Sequence, residues 1–143
     1  MIEWQGPPLR NIDLNSYTMC YACGRDNPVG LKLDIRYDGD LVRTEFTPQE
    51  HHQGWPGVVH GGILNTILDE VMAYAAIHRG LYCVTAKMEI RIRNTPLVGR
   101  RYLASAWITS SRKRLVEAQS EISLEDGTKI AEGKATMYLV EEA

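Results

Sequence analysis

An α+β domain, with an antiparallel sheet wrapped around one long helix, is the fold class this sequence predicts. Three observations predict it. Most of the chain alternates apolar and polar residues with the period of a half-buried strand, and one stretch alone repeats with helical period. The length, 143 residues, leaves room for one domain. With 44% hydrophobic and 24% charged residues the composition is that of an ordinary globular protein, which excludes a disordered chain, a collagen-like repeat and a disulfide scaffold.

Residues 1–19 carry no usable periodicity and read as an arm lying on a domain that spans 20–143. The run Cys20-Tyr21-Ala22-Cys23-Gly24-Arg25-Asp26-Asn27-Pro28-Val29-Gly30 is dense in turn formers. Leu31, Leu33, Ile35 and Tyr37 then alternate with charged residues as a strand, and Asp38-Gly39-Asp40 turns the chain into a second strand carrying Val42, Thr44 and Phe46. A loop rich in Gly and Pro fills 48–59. After Gly61-Gly62 the apolar residues Ile63, Leu64, Ile67, Leu68, Val71, Met72, Ala75 and Ala76 recur in pairs every four positions, which predicts a mostly buried helix from about Gly62 to about His78, stopped by Gly80. Ala86, Met88, Ile90 and Ile92 open the next strand. Further strands fall at 101–110, 115–124 and 128–140, separated by Ser110–Arg114 and by Glu125-Asp126-Gly127. The small residues Ala131, Gly133 and Ala135 share one face of the last strand and let the helix lie close.

Charge and cysteine content bound the function. Sixteen Lys+Arg against eighteen Asp+Glu give a net charge of −2, which argues against bulk nucleic-acid binding. No apolar window is long enough to span a membrane, and the first residues lack the pattern of a signal peptide. Three cysteines are an odd number and too few for a secreted framework. Reduced thiols in a cytoplasmic protein are the expectation.

The stretch His52-Gln53-Gly54-Trp55-Pro56-Gly57-Val58-Val59-His60-Gly61-Gly62 runs directly into the helix. A helix start offers unpaired backbone N–H groups and the positive end of the dipole, and glycines let a ligand oxygen approach closely. Such a place can hold an anion or the oxyanion formed when a carbonyl is attacked, although a plain Gly-Gly entry turn has the same sequence. Asp69 lies well inside the apolar helix, where a carboxylate seldom sits without a partner or a task. Asn65 lies one turn before it and is read as a substrate-side contact. Glu70 is read as facing a solvated edge. Cys20-x-x-Cys23 supplies only two of the four ligands of a zinc site. His51 and His52 would complete one on paper, but the spacing fits no standard finger, so structural thiols are expected, with no metal and no cofactor. Cys83 reads as a small core residue. Between Thr85 and Arg114 eight basic residues face Glu89 alone. Arg91, Arg93, Arg112 and Lys113 are the candidates for a phosphate site among them, against the plainer reading of solvated strand faces.

His-Gly-Gly, Asp69 nine residues after His60, the strand with Val84-Thr85-Ala86, the segment from Cys20 to Leu33 and HQGWPGVVHGG together resemble the PaaI-like hotdog thioesterases of the 4-hydroxybenzoyl-CoA thioesterase superfamily, over roughly residues 20–140. The resemblance implies a hotdog fold, homodimers that often pair again into tetramers, and an acyl-CoA bound at the subunit interface. It implies that Gly62, with Gly61 as a second donor, binds the thioester carbonyl of a substrate whose base or nucleophile, Asp69, comes from the partner chain. His60 buttresses the loop, His52 and Gln53 stand where relatives place an Asn or Gln, and Thr85 matches a hydroxyl that orients water. Plain alternation puts Thr85 on the same face as Lys87, away from the apolar side. The strand therefore begins after Thr85, or a bulge intervenes, or Thr85 is structural. The expected pocket floor is Ile67, Val71 and Met72 with the partner chain. Hydrolysis of an acyl-CoA is the leading function. A non-catalytic acyl-CoA-binding module, and a hydratase on the same fold, are the competitors.

Overall fold

The computed structural model describes Gln5, Gly6, Asp13 and residues 15–142, with side chains described up to Val140. Most of the arm expected over 1–19 lies outside the described residues. The elements in order are β1 (Arg36–Asp38), β2 (Leu41–Phe46), a short 3-10 turn (Glu50–His52), α1 (Gly61–His78), β3 (Leu81–Ile92), β4 (Tyr102–Arg112), β5 (Leu115–Ser123) and β6 (Lys129–Glu142). The six strands form one antiparallel sheet in the order β1-β2-β4-β5-β6-β3. This is the predicted class. Because β3 follows the helix directly yet pairs only with β6, it becomes one edge of the sheet, with α1 laid across the inner face.

The first predicted strand is the main departure. Leu31 and Leu33 are buried as alternation requires, but Lys32 has a positive φ of 53° that breaks an extended run. Their N–H groups bond instead to the carbonyls of Tyr21 and Ala22, each at 2.9 Å, so the segment docks on the turn before it rather than entering the ladder. Only Arg36–Asp38 pairs with β2, across a turn in which Gly39 takes φ +62°. Tyr37 is exposed and stacks on His78 with ring centroids 4.1 Å apart. The Ser110–Arg114 connection is also tighter than expected: β4 runs on to Arg112, and Lys113 at φ +54° makes the turn.

The helix begins and ends within a residue of its prediction. It buries Leu64, Ile67, Leu68, Val71, Met72, Ala75 and Ala76, each large apolar side chain contributing about 1.5–3 kcal/mol. Ile67, Val71 and Met72 are at most 2% exposed within the chain's own core, so they do not line an open pocket floor as expected. The small-residue face of β6 does what its composition implies. Ala131, Ala135 and Gly133 lie under the helix, and a Cβ added at Gly133 would stand 3.5 Å from Leu68 Cβ.

Candidate active site

His60 is the N-cap of α1, with extended backbone (φ −60°, ψ 134°), and its Nδ1 accepts the Gly62 N–H at 2.8 Å. Its own N–H bonds the His52 carbonyl at 2.8 Å, which ties the loop to the helix start. The cap has a consequence for the two glycines. The Gly62 N–H is occupied by His60, whereas the Gly61 N–H makes no hydrogen bond among the described residues. A cavity of about 400 Å³ lies on the Gly61 side, lined also by Gly54, His60 and Trp55, whose ring is 81% exposed. A second of about 370 Å³ lies on the Gly62 side, lined also by Tyr21, His52, His60 and Thr66.

His52 is buried. Its Nδ1 accepts the Gln49 N–H at 2.9 Å, which leaves the ring proton on Nε2, and that atom has no partner. Burial and, second, the charge of neighbouring His51 hold its pKa below the ordinary histidine value. Gln53 spends its amide on the loop, accepting the Gly57 N–H at Oε1 and donating to the Glu50 carbonyl at 2.8 Å. Asn65 is exposed and stands outside both cavities.

Two turns along the helix Asp69 is half-buried, and Thr85 Oγ1 donates to its Oδ1 at 2.9 Å. The bulge is the alternative that holds. Thr85 pairs with Met137 and Lys87 with Thr136, so Ala86 is the extra residue and Thr85 turns to the inner face beside the helix. Asp69 Oδ2 has no hydrogen-bond partner among the described residues.

Glu70 does not face a solvated edge. Its carboxylate lies 3.7 Å from Cys20 Sγ and is half-buried, and burial, more than anything else, raises its pKa. Cys23 Sγ is 3.3 Å from the Tyr74 hydroxyl, and burial pushes its thiol up to about 12. Tyr74 is likewise raised by burial. Glu70, Tyr74, Tyr21 and Trp55 are the residues that sequence reasoning missed near the site. The only signal for the first two was a CxxC some fifty residues before an acidic pair.

The basic segment is not brought together. Arg91 lies opposite Glu132 and the Arg93 N–H bonds the Ile130 carbonyl at one end of β6, while Arg112 pairs with Leu115, which pairs with Tyr138 at the other. Six residues of strand separate the two ends by about 20 Å. Arg93 is paired with Glu132, and Arg101 with Glu45 and Glu125, so part of the apparent excess is neutralised locally. Arg91 and Arg93 open onto an outer-face cavity of about 650 Å³ that also holds Glu89, Glu121 and Glu132.

Comparison with known proteins places the chain in a family and gives it the same fold as several solved structures. A family model described as "Thioesterase superfamily" matches residues 56–131, more than half of the chain. Mouse acyl-coenzyme A thioesterase 13 is 29% identical over 98 residues, covering 66% of this chain and 70% of that protein. Among solved structures, the thioesterase superfamily protein RHA08564 superposes with a TM-score of 0.80 at 21% identity, over 84% of this chain but only 62% of that longer one. The Escherichia coli PaaI protein of the phenylacetic acid degradation operon superposes with a TM-score of 0.73 at 21% identity, over 79% of this chain and 83% of its own. A hypothetical thioesterase from Streptococcus pneumoniae, solved with coenzyme A, does so with a TM-score of 0.73 at 18% identity, over 77% and 87% of the two chains. Alanine variants of that protein, at an aspartate and a threonine sixteen positions apart, were also solved, and sixteen is the spacing of Asp69 and Thr85. The model match, the PaaI-like fold and the His60 to Thr85 constellation lead to one conclusion: this chain belongs to the thioesterase superfamily and has its hotdog fold.

Proposed function

We propose that the protein hydrolyses an acyl-CoA thioester to a free carboxylic acid and CoA at a site shared between two copies of the chain. The Asp69–Thr85 hydrogen bond carries the reading, because it aims a half-buried carboxylate from the helix while leaving one oxygen free. Asp69 takes a proton from water as the water oxygen adds to the thioester carbon. The oxyanion that forms is met by the free Gly61 N–H, with the positive end of α1 behind it. The C–S bond then breaks, and the CoA thiolate leaves and takes up a proton. Gly62 serves through its His60 cap, which fixes the loop, rather than as the first donor.

Gly61 and Asp69 are eight residues apart on one helix, about 12 Å along its axis at 1.5 Å per residue. A reacting carbon about 3 Å from both groups therefore needs them from different chains. The edge strand β3 supports such a pairing, since its twelve residues leave one side of the ladder open beside Thr85. Arg91 at one end of the sheet and the Arg112–Lys113 turn at the other, none with an ion-pair partner among the described residues, are proposed as alternative contacts for the CoA phosphates.

A panel of acyl-CoAs with thiol-release detection, on wild type and Asp69→Asn, tests the reading. Turnover that vanishes in the variant while acyl-CoA still binds supports hydrolysis. Binding by the wild type with no turnover of any substrate replaces it with a non-catalytic acyl-CoA module.

A further inference from the structure

The Cys20–Cys23 turn is unused by the proposed chemistry, and it contains more than two thiols. Cys20 Sγ, Cys23 Sγ and a Glu70 carboxylate oxygen all lie within 4.8 Å of one another, with Cys20 Sγ and Glu70 Oε1 at 3.7 Å. A tetrahedral zinc ion with bonds of about 2.3 Å to sulfur and 2.0–2.2 Å to oxygen sets sulfur–oxygen edges of about 3.5 Å and sulfur–sulfur edges of about 3.8 Å. The cluster meets that size with small side-chain movements.

The backbone around the thiols is built as a knuckle. The Cys23 N–H points at Cys20 Sγ at 3.5 Å and the Gly24 N–H closes on the Cys20 carbonyl at 2.8 Å. Gly24 is dictated by the tightness of this turn, because a Cβ there would stand 2.4–2.6 Å from Cys20 N, Thr18 O and Cys20 O. On the far side Tyr74 Oη, 3.3 Å from Cys23 Sγ, is placed as an outer hydrogen-bond donor to a ligand sulfur.

Glu70 supplies the second reason. Its hydrogen-bond partners among the described residues are the two thiols, Cys20 at 3.7 Å and Cys23 beside it, both weak donors. A half-buried carboxylate with such poor partners is costly unless a cation completes it.

We propose that Cys20, Cys23 and Glu70 form a binding site for a thiophilic divalent cation of the zinc class, with water as the fourth ligand and Tyr74 supporting Cys23. His51 and His52 take no part, since His52 Nδ1 is engaged with Gln49 and both rings belong to the loop before the helix. The ion cross-links the knuckle to the central helix at the residue next to Asp69, and it holds Tyr21 at the cavity beside Gly62. The site is independent of the hydrolytic reading.

Full-length, reduced, chelator-treated protein titrated with Co²⁺ tests it without any acyl-CoA present. The expected result is saturation at one ion per chain with a sulfur-to-cobalt charge-transfer band and the visible bands of a tetrahedral centre, both abolished by Zn²⁺. Cys20→Ser and Cys23→Ser remove the bands, Glu70→Gln weakens Co²⁺ binding at least tenfold, and Cys83→Ser leaves it unchanged. Saturating Zn²⁺ raises Tm by about 5–10 °C. Should the cysteine variants fail to fold, thiol labelling of the wild type serves instead, with Zn²⁺ protecting Cys20 and Cys23 and not Cys83. Absence of the charge-transfer band, its survival in Cys20→Ser, or equal labelling of all three thiols with and without Zn²⁺ overturns the proposal.

Discussion

Replacing Gly61 by proline isolates the proposed oxyanion donor from everything else the helix start does. Proline lacks the N–H, and at Gly61 that N–H makes no bond among the described residues, so folding loses nothing there. Gly61 is the first residue of α1, the helical position that proline tolerates best. The residue before it, His60, already has ψ 134°, the extended conformation that a following proline demands. A Cβ at position 61 meets nothing within 4 Å. Fold stability should therefore stay level or rise by about 0.4–1 kcal/mol through the stiffer unfolded chain. One oxyanion-hole donor contributes about 2.7–4 kcal/mol, so kcat should fall about 10²–10³-fold. Gly61→Ala keeps the N–H and should retain wild-type turnover. The assay is thiol release at saturating acyl-CoA, paired with urea unfolding of each variant. Turnover in Gly61→Pro within about threefold of wild type, with stability intact, would refute the assignment of this amide.

Three further outcomes follow from local geometry. Thr85→Val removes the hydrogen bond to Asp69 and should lower kcat about tenfold with KM little changed and stability altered by no more than about 1 kcal/mol; steady-state kinetics with a thermal melt checks both. Gly24→Ala forces a methyl group into three backbone atoms that have no room to yield, and should cost about 3 kcal/mol or more in urea unfolding. His52 is held neutral by burial, so its folded pKa lies below its unfolded value and the unfolded state binds the extra proton. Its contribution is whole above the unfolded pKa of about 6.5 and is lost as pH falls through the folded value, at no more than about 1.4 kcal/mol per pH unit. Wild type should thus lose more stability than His52→Gln between about pH 7.5 and 5.5; parallel losses would show that the ring carries no such linkage.

The features visible in the sequence are those with one period and one cause. The helix pattern from Ile63 to Ala76, the small-residue face of β6 and the two-period switch at Gly61-Gly62 each appear in the fold where they were expected. Thr85 needed a third dimension, because the extra residue at Ala86 reverses its face and no alternation pattern announces a bulge. Glu70 was misread for a related reason. Its surroundings come from a turn fifty residues earlier in the chain, and helical periodicity has no access to that turn. Lys32 broke a pattern that still predicted burial correctly, since Leu31 and Leu33 are buried by docking on Tyr21 and Ala22 rather than by sheet pairing. The basic segment lost its coherence for a geometric reason. Strand residues close in sequence end up at opposite ends of a sheet, and Glu45, Glu125 and Glu132 arrive from elsewhere to pair with them.

The central claim is that each site takes its helix-start amide from one chain and its carboxylate from another. Mixing Asp69→Asn chains with Gly61→Pro chains, each inactive alone, tests it directly. A mixed dimer then holds one site with both groups intact and one with neither. Denaturing and refolding an equimolar mixture should restore about a quarter of wild-type turnover, because half of the dimers are mixed and each has one working site in two. A refolded mixture as inactive as its parents, with mixed dimers demonstrated by mass, would contradict the shared site.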